Sequence, residues 1–395
     1  MSIGLKEKVN IAFIFQQSSG WMGGINYFKN LFIAMSKTEN PKLIPYIMKP
    51  YDENSNILTK YSNLLDYNSK KNLRYYLKKW SRAIRGKEFD KRQFMQKTIN
   101  FKEIDLISHS ELRREKPVIS WIPDFQHIHL KEMFDKKELI SRDKGFLDKA
   151  KNSKIVILSS NDALNDFKAF APRYAHKGKV LNFVAILEDD VYRKTDEIKT
   201  QTIEKLNLPE KYFYLPNQFW KHKNHKVVFE AVSILKEQGI DVQVVFSGST
   251  NDYRHENHFN ELMEFAKEKN IENNLKMVGL IDLIEVYYLM RNCISIINPS
   301  LFEGWSSTVE EAKSLGKNMI LSNLNVYKEQ NPPDSIYFNP MDANELAGIL
   351  KEKWINGKSE PDYALEKEAQ ANIENRIANF GKQYQEIVLE ALKKD

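Results

Sequence analysis

The chain has 395 residues, 42% hydrophobic and 12% aromatic, enough to bury a large core and long enough to favour two domains or more. Its 59 basic and 53 acidic residues leave a formal net charge of +6, a modest excess for this length and not the signature of a nucleic-acid binder. One cysteine, Cys293, excludes an internal disulfide framework and favours a reducing compartment, and no apolar run approaches the roughly 18 residues of a membrane span.

Short apolar runs alternate with longer amphipathic ones along the chain. The opening MSIGLKEKVNIAFIF holds an apolar run too short for a signal peptide, so a cytoplasmic protein is expected. The runs VNIAFIF (9–15), VISWI (118–122), KIVILSS (154–160), YFYLP (212–216), VQVVFSG (242–248), CISIINP (293–299) and NMILSN (318–323) read as strands. Helical spacing at 226–238, 255–269, 282–291, 308–315 and 342–354, as in Val227, Val228, Ala231 and Leu235, predicts crossover helices. Strands separated by helices imply α/β architecture with parallel, doubly wound sheets.

The polar stretch 192–212 interrupts this alternation and places a domain boundary near residue 200. The expected organisation is a first Rossmann-like domain over 1–200, a second over 201–375, and a terminal helix over 376–395 that folds back toward the first. The tail 364–395 reads as helix with a break near Gly381. Two such sheets leave a cleft between the carboxyl ends of their strands, where ligands bind.

Candidate chemistry falls on the turns after strands. Gly23-Gly24, in QQSSGWMGGINYFKN, lets backbone approach a ligand closely. The stretch SKKNLRYYLKKWSRAIRGKEFDKR (69–92) has ten basic residues against Glu88 and Asp90, and its stripe Leu73, Tyr76, Leu77, Trp80 and Ile84 has helical spacing. It reads either as an element lying on an anionic membrane surface or as an ordinary amphipathic helix with a solvated basic face. In PSLFEGWSSTVEEAKSLG (299–316), Ser307-x-x-Glu310 and Thr308-x-x-Glu311 both have capping-box spacing, so a helix begins there and Glu311 is open to a purely local reading as its cap. The amides around Ser306–Val309 would then point out of a helix N-terminus, a setting suited to phosphate.

Pro299-Ser300-Leu301-Phe302-Glu303-Gly304, followed by Glu311-Ala312 and Gly316, resembles the Glu-x7-Glu signature of glycosyltransferase family 4, the retaining group 1 enzymes of GT-B fold. The resemblance extends through GLIDLIEVYYLMRNCISIINPS before the signature and MDANELAGIL after it, and includes Gly23-Gly24. It implies two Rossmann-like domains around a cleft. It also implies transfer of a sugar, a hexose by preference, from a nucleoside diphosphate sugar to a hydroxyl acceptor, a glycan or lipid-linked glycan in bacterial surface polysaccharide such as O-antigen or capsule.

By the same resemblance, Glu303 contacts donor-sugar hydroxyls and Glu311 the ribose, with Gly304, Trp305, Ser306, Ser307 and Thr308 around the diphosphate. Gly23 and Gly24 add acceptor and phosphate contacts. In LPNQFWKHKNH (215–225), Lys223 matches the family lysine that neutralises the leaving diphosphate, while Gln218 stands where the family has arginine and Lys221 is available to compensate. In SWIPDFQHIHLKEMF (120–134), the family's His-Asp pair is replaced by Pro123-Asp124, leaving Asp124 and His127 as candidates for holding hydroxyls near the reacting carbon. These departures keep open two alternatives: a non-catalytic nucleotide-sugar-binding subunit of a partner transferase, or a GT-B nucleotide-sugar epimerase.

No Asp-x-Asp is present, so a metal-independent site without cofactor is expected. His222-x2-His225 and His255-x2-His258 lack cysteine partners and zinc spacing and read as solvated histidines. The absence of GxGxxG, P-loop and Gly-x-Ser-x-Gly patterns removes the common dinucleotide, NTPase and hydrolase signals.

Overall fold

The computed structural model describes residues 6–14, 22–48, 56–65, 99–110 and 115–393. The basic stretch 69–92 lies outside the described residues. Two parallel sheets form the molecule, a seven-stranded one in the order β3-β2-β1-β4-β5-β6-β7 and a six-stranded one in the order β10-β9-β8-β11-β12-β13. The first contains β1 (Lys8–Phe13), β2 (Lys42–Ile47), β3 (Asn63–Leu64), β4 (Leu106–Ser108), β5 (Val118–Ile122), β6 (Ile155–Leu158) and β7 (Gly178–Val180). The second contains β8 (Phe213–Leu215), β9 (Val244–Ser247), β10 (Leu275–Gly279), β11 (Ile296–Asn298), β12 (Met319–Ser322) and β13 (Ile336–Phe338). Each order reverses direction beside its first strand, at β1/β4 and β8/β11, and this switch point opens a crevice at the carboxyl ends of the strands.

Each predicted strand is present; β5 coincides with its apolar run and the others are shorter than theirs. The strands that the run pattern did not mark are mostly short or at sheet edges. β3 is two exposed residues recognisable only by pairing with Tyr46 and Ile47. β2 contains Pro45, which falls just before the stretch where β3 pairs and so leaves no ladder bond missing there.

Strand periodicity divides the cores. Val9, Ile11 and Phe13 face a cluster with Phe28, Leu31 and Phe32 of the helix Met22–Ser36, while Ala12 and Ile14 face a second cluster with Met48 and Ile107. In the second sheet Phe213 and Leu215 point into one cluster and Tyr214 into the other.

The polar stretch after β7 is not extended chain. It forms the helices Val191–Glu197 and Lys199–Leu206, whose buried Val191, Thr195, Thr202 and Leu206 seat them beneath the second sheet. The tail is one uninterrupted helix, Tyr363–Leu392, without the break expected near Gly381. A methyl group at Gly381 would lie 2.4 Å from the Ala34 carbonyl oxygen, so this glycine permits close helix approach rather than a kink. Glu366 holds the tail to the second domain through a bidentate pair with buried Arg291, at 2.7 and 3.0 Å, whereas Phe380, Tyr384, Ile387 and Val388 enter the first domain's core. No helix among the described residues is long and apolar enough to cross a membrane.

Candidate active site

The loops after β8 and β11, the pair at the switch point, carry the main constellation. A buried polar network closes their base: Asn217 Nδ2 donates to Asn298 Oδ1 (2.8 Å), Asn298 Nδ2 to Ser306 Oγ (3.1 Å), and Ser300 Oγ to Asn298 Oδ1 (3.0 Å). Above it Glu303 Oε1 accepts from Lys223 Nζ at 2.6 Å, Ser300 Oγ at 2.7 Å and Tyr327 Oη at 3.4 Å. Sequence reasoning did not find Asn217, Asn298, Ser300 or Tyr327. For the two asparagines the available signal was their place at or just after the end of a largely apolar run, YFYLPN and ISIIN, where buried polar side chains need partners.

The helix Ser307–Leu315 begins one residue earlier than the Ser307 capping box would place it and two earlier than the Thr308 box. Its cap is Ser306, whose Oγ accepts from Val309 N while the Ser306 backbone is held on both sides by Gln330. Glu311 therefore caps nothing, and the local reading of that residue is overturned. The amides of Ser307 and Thr308 have no acceptor among the described residues and remain available at the helix N-terminus. Ser307 is exposed, whereas the Thr308 hydroxyl turns inward to Asn217 Oδ1 at 3.4 Å.

Glu310 and Glu311 are neighbours with opposite fates. Glu310 is buried and fully engaged by Arg376 (2.6 Å), Gln330 (3.1 Å) and Lys313 (3.3 Å), which fastens the helix to its surroundings. Glu311 has no hydrogen-bond or ion-pair partner among the described residues. It is half-buried near Tyr214 and Tyr287, and burial pushes its carboxyl up to about 7. A carboxylate held in this way has its full acceptor capacity free for hydroxyl groups.

Other candidates distribute unevenly. Gly23 and Gly24 lie in the first turn of the helix Met22–Ser36, at the carboxyl end of β1, and a methyl group at Gly23 would meet only open space. Gln218 is exposed and accepts from Trp220 Nε1 at 2.8 Å; Lys221 is exposed beside it, its amide held by Asp252. Trp305 is committed elsewhere, donating Nε1 to the Phe183 carbonyl at 3.0 Å after β7. Gly304 meets the first domain, since a methyl group there would lie 2.5 Å from Pro123 O and 2.7 Å from Asp124 Cβ. Asp124 thus stands directly across from the Glu303 loop.

His127 does not join them. It is buried among Phe125, Phe146 and Phe170 with Nε2 3.0 Å from Asp143 Oδ1, and burial holds its imidazole below the ordinary range. His129, two residues on, instead stacks on Phe302 of the opposite domain, with ring centres 5.1 Å apart. His225 is also buried, stacked on Phe219 at 4.1 Å, and His258 is buried with it, so these histidines are not the solvated ones expected. Among the described residues no group of three metal-ligating side chains is assembled.

The first domain adds one residue that sequence reasoning passed over. His109 follows β4 with a positive φ of 51°, and its ring lies 2.7 Å from Tyr27 Oη and 2.9 Å from Ser108 Oγ. Burial lowers it to about 3, so it is a neutral acceptor or donor at the base of the first domain's crevice.

The two domains touch around this site. Arg254 donates to both oxygens of Glu138, at 2.8 and 3.1 Å, and lies over the Phe134 and Trp220 rings. Glu329 accepts from Asn161 N, at the start of the helix Asn161–Phe170, where helix polarity favours an anion.

Residues 196–387 match the family described as glycosyl transferases group 1. The match lies over the second sheet and the tail helix and spans just under half of the chain. A curated relative, the alpha-1,3/1,6-mannosyltransferase ALG2 of Dictyostelium discoideum, is 28% identical over 138 residues, which is 32% of this chain and a third (33%) of the relative's own length. Among solved structures, Anabaena HepE in complex with UDP and glucose superposes with a TM-score of 0.64 at 15% identity, over 96% of this chain and 98% of that one. A UDP-forming trehalose-phosphate synthase from Burkholderia xenovorans superposes with a TM-score of 0.61 at 11% identity, over 97% and 98% of the two chains. At these identities the likeness establishes the shared two-domain GT-B fold.

Proposed function

We propose that this chain is a retaining, metal-independent glycosyltransferase of family 4 type that moves a sugar, a hexose by preference, from a nucleoside diphosphate sugar to a hydroxyl acceptor. The observation that carries the reading is the arrangement around the helix Ser307–Leu315: unpartnered Glu311 on one side, Glu303 held by Lys223 on the other, and free amides at the N-terminus between them. Two carboxylates flanking a positive helix end suit a ligand that is anionic in its middle and hydroxylated at both ends, which describes a nucleotide sugar. The neighbouring structure that holds UDP and glucose supports the same ligand class.

In this reading Lys223 and the helix amides stabilise charge on the departing diphosphate, Glu303 orients the sugar, and Glu311 accepts from the ribose. Asp124, across from Gly304, and the opening helix with Gly23-Gly24 present the acceptor. The face-retaining path, in which the departing phosphate takes the acceptor's proton, needs no side-chain nucleophile. A lipid-linked surface glycan is the proposed acceptor. The protein is placed in the cytoplasm, at the inner face of the membrane, where the basic stretch 69–92 would meet anionic lipid.

The test is mass spectrometry of pure protein with a panel of nucleotide sugars, with and without hydroxyl acceptors and in excess EDTA. Release of nucleoside diphosphate with an α-linked product from an α-linked donor is expected. Binding without any turnover favours a non-catalytic subunit, and acceptor-independent isomerised sugar nucleotide favours an epimerase.

A further inference from the structure

We infer that His129 is a positioning residue, acting from the first domain on the face of Phe302 to hold the Glu303 loop in place; the inference rests on the donor reading above. His129 ends the short helix Gln126–His129, and its Nε2 lies 2.8 Å from Asp166 Oδ2 on the helix Asn161–Phe170. That bond sets the tilt of the imidazole. The ring stacks on Phe302 with centres 5.1 Å apart and planes 28° from parallel.

Phe302 immediately precedes Glu303, and Gly304 immediately follows it. Gly304 abuts Pro123 and Asp124, so one first-domain segment, 123–129, touches both flanks of the second domain's donor carboxylate. Within the second domain Glu303 is held through Oε1 by Lys223, Ser300 and Tyr327, and the loop backbone is tied at its two ends, Leu301 N to the His222 carbonyl at 2.8 Å and Ser306 to Gln330, so the stretch 302–304 between them meets the first domain. His127 cannot serve, because it is turned into the aromatic pocket with Asp143. His129 can be changed without opening a core, since 45% of its side chain is exposed.

The arrangement separates sugar from nucleotide. Glu311 and the helix amides lie beyond the loop that His129 touches, so loss of the imidazole disturbs the sugar end of the donor most, and reaches the diphosphate end only through Lys223, which is bonded to Glu303. A misplacement of about 1 Å at a reacting centre costs on the order of a hundredfold in rate, so even a small loop shift is measurable.

Three variants decide the matter: His129→Ala, Asp166→Ala and His129→Phe. Each is assayed for kcat and KM with the nucleotide sugar that the wild type uses, for Kd with UDP or GDP alone, and for hydrogen exchange of the ligand-free amides 300–306. His129→Ala is expected to lower kcat/KM about tenfold or more, change the nucleoside diphosphate Kd by a much smaller factor, and speed exchange in the loop. His129→Phe, which keeps the stacked ring, should recover most of both effects, and Asp166→Ala should fall between. Unchanged turnover and exchange in His129→Ala overturn the inference, as does an equal loss of nucleoside diphosphate affinity. If the wild type binds neither UDP nor GDP, the donor reading fails, and loop exchange alone still decides whether His129 holds the loop.

Discussion

Lys223 Nζ lies 2.6 Å from Glu303 Oε1, joining the loop after β8 to the loop after β11 across the switch point of the second sheet. Both side chains are mostly buried, at 20% and 11% exposure, so removing either leaves the other charge poorly solvated. Lys223→Ala should therefore do more than delete a phosphate contact. Turnover is expected to fall by about 10²–10³-fold, with Lys223→Arg retaining part of it, as read from product formation at saturating donor. Turnover that survives Lys223→Ala intact removes this lysine from the site.

Glu311 offers a test in which stability and binding move in opposite directions. Its carboxyl is raised from 4.5 to about 7, so the folded protein holds a proton there that the unfolded chain has released between those values. The relative stabilisation is present at low pH and is lost as pH rises through 7. The isosteric Glu311→Gln has no charge to bury and should raise the unfolding free energy by up to about 3 kcal/mol at pH 8, seen as a higher Tm, but not at pH 4. It should at the same time weaken nucleoside diphosphate binding in calorimetry. A variant that gains stability and keeps full affinity would place the ribose elsewhere.

Gly304→Ala addresses the domain contact. The added methyl would meet backbone of Pro123 and Cβ of Asp124, neither of which can rotate away. The closed arrangement should be disfavoured, with a larger radius of gyration by small-angle scattering and a drop in kcat. Nucleoside diphosphate affinity should change little, since Glu311 and the helix amides belong wholly to the second domain. A compact, fully active variant would show that the two domains need not meet at this glycine.

His225 supplies an acid limb. It is fully buried on Phe219, with neither ring nitrogen well hydrogen-bonded, although the Asn217 backbone approaches it. Burial, with His258 and Lys223 adding repulsion, lowers it from 6.5 to about 3. Its folded value is depressed, so the unfolded chain binds the proton first and stability falls as pH drops below about 6.5. The slope is roughly 1.4 kcal/mol per pH unit for such a group. Denaturant melts of His225→Phe, which keeps the ring stack, should show a shallower loss between pH 6 and 4. Identical acid limbs in the two proteins would exclude His225 as the titrating group.

Much of this was legible in one dimension because the relevant signals are local. Alternating apolar runs and helical spacing specify parallel strands and crossovers through side-chain periodicity alone, and the Glu303 to Glu311 spacing around a helix start is a property of consecutive residues. Lys223 was marked only by its match to the family lysine, not by any local periodicity. Strands such as β3 were not legible, because two exposed residues become a strand only by pairing with Tyr46 and Ile47.

The tertiary structure decided what depends on direction and on partners distant in the chain. Glu310 and Glu311 look alike in sequence, yet one faces Arg376 and Gln330 and the other has no partner among the described residues, because a helix turns about 100° between consecutive residues. His127 and His129 look equally fit to replace the family histidine, but a tight helical turn sends one into the core and the other across the cleft to Phe302. Gly381 reads as a helix breaker until Ala34 is seen 2.4 Å from where its side chain would begin. In each case residue type was set by the sequence, while burial and orientation were set by which distant element packs against it.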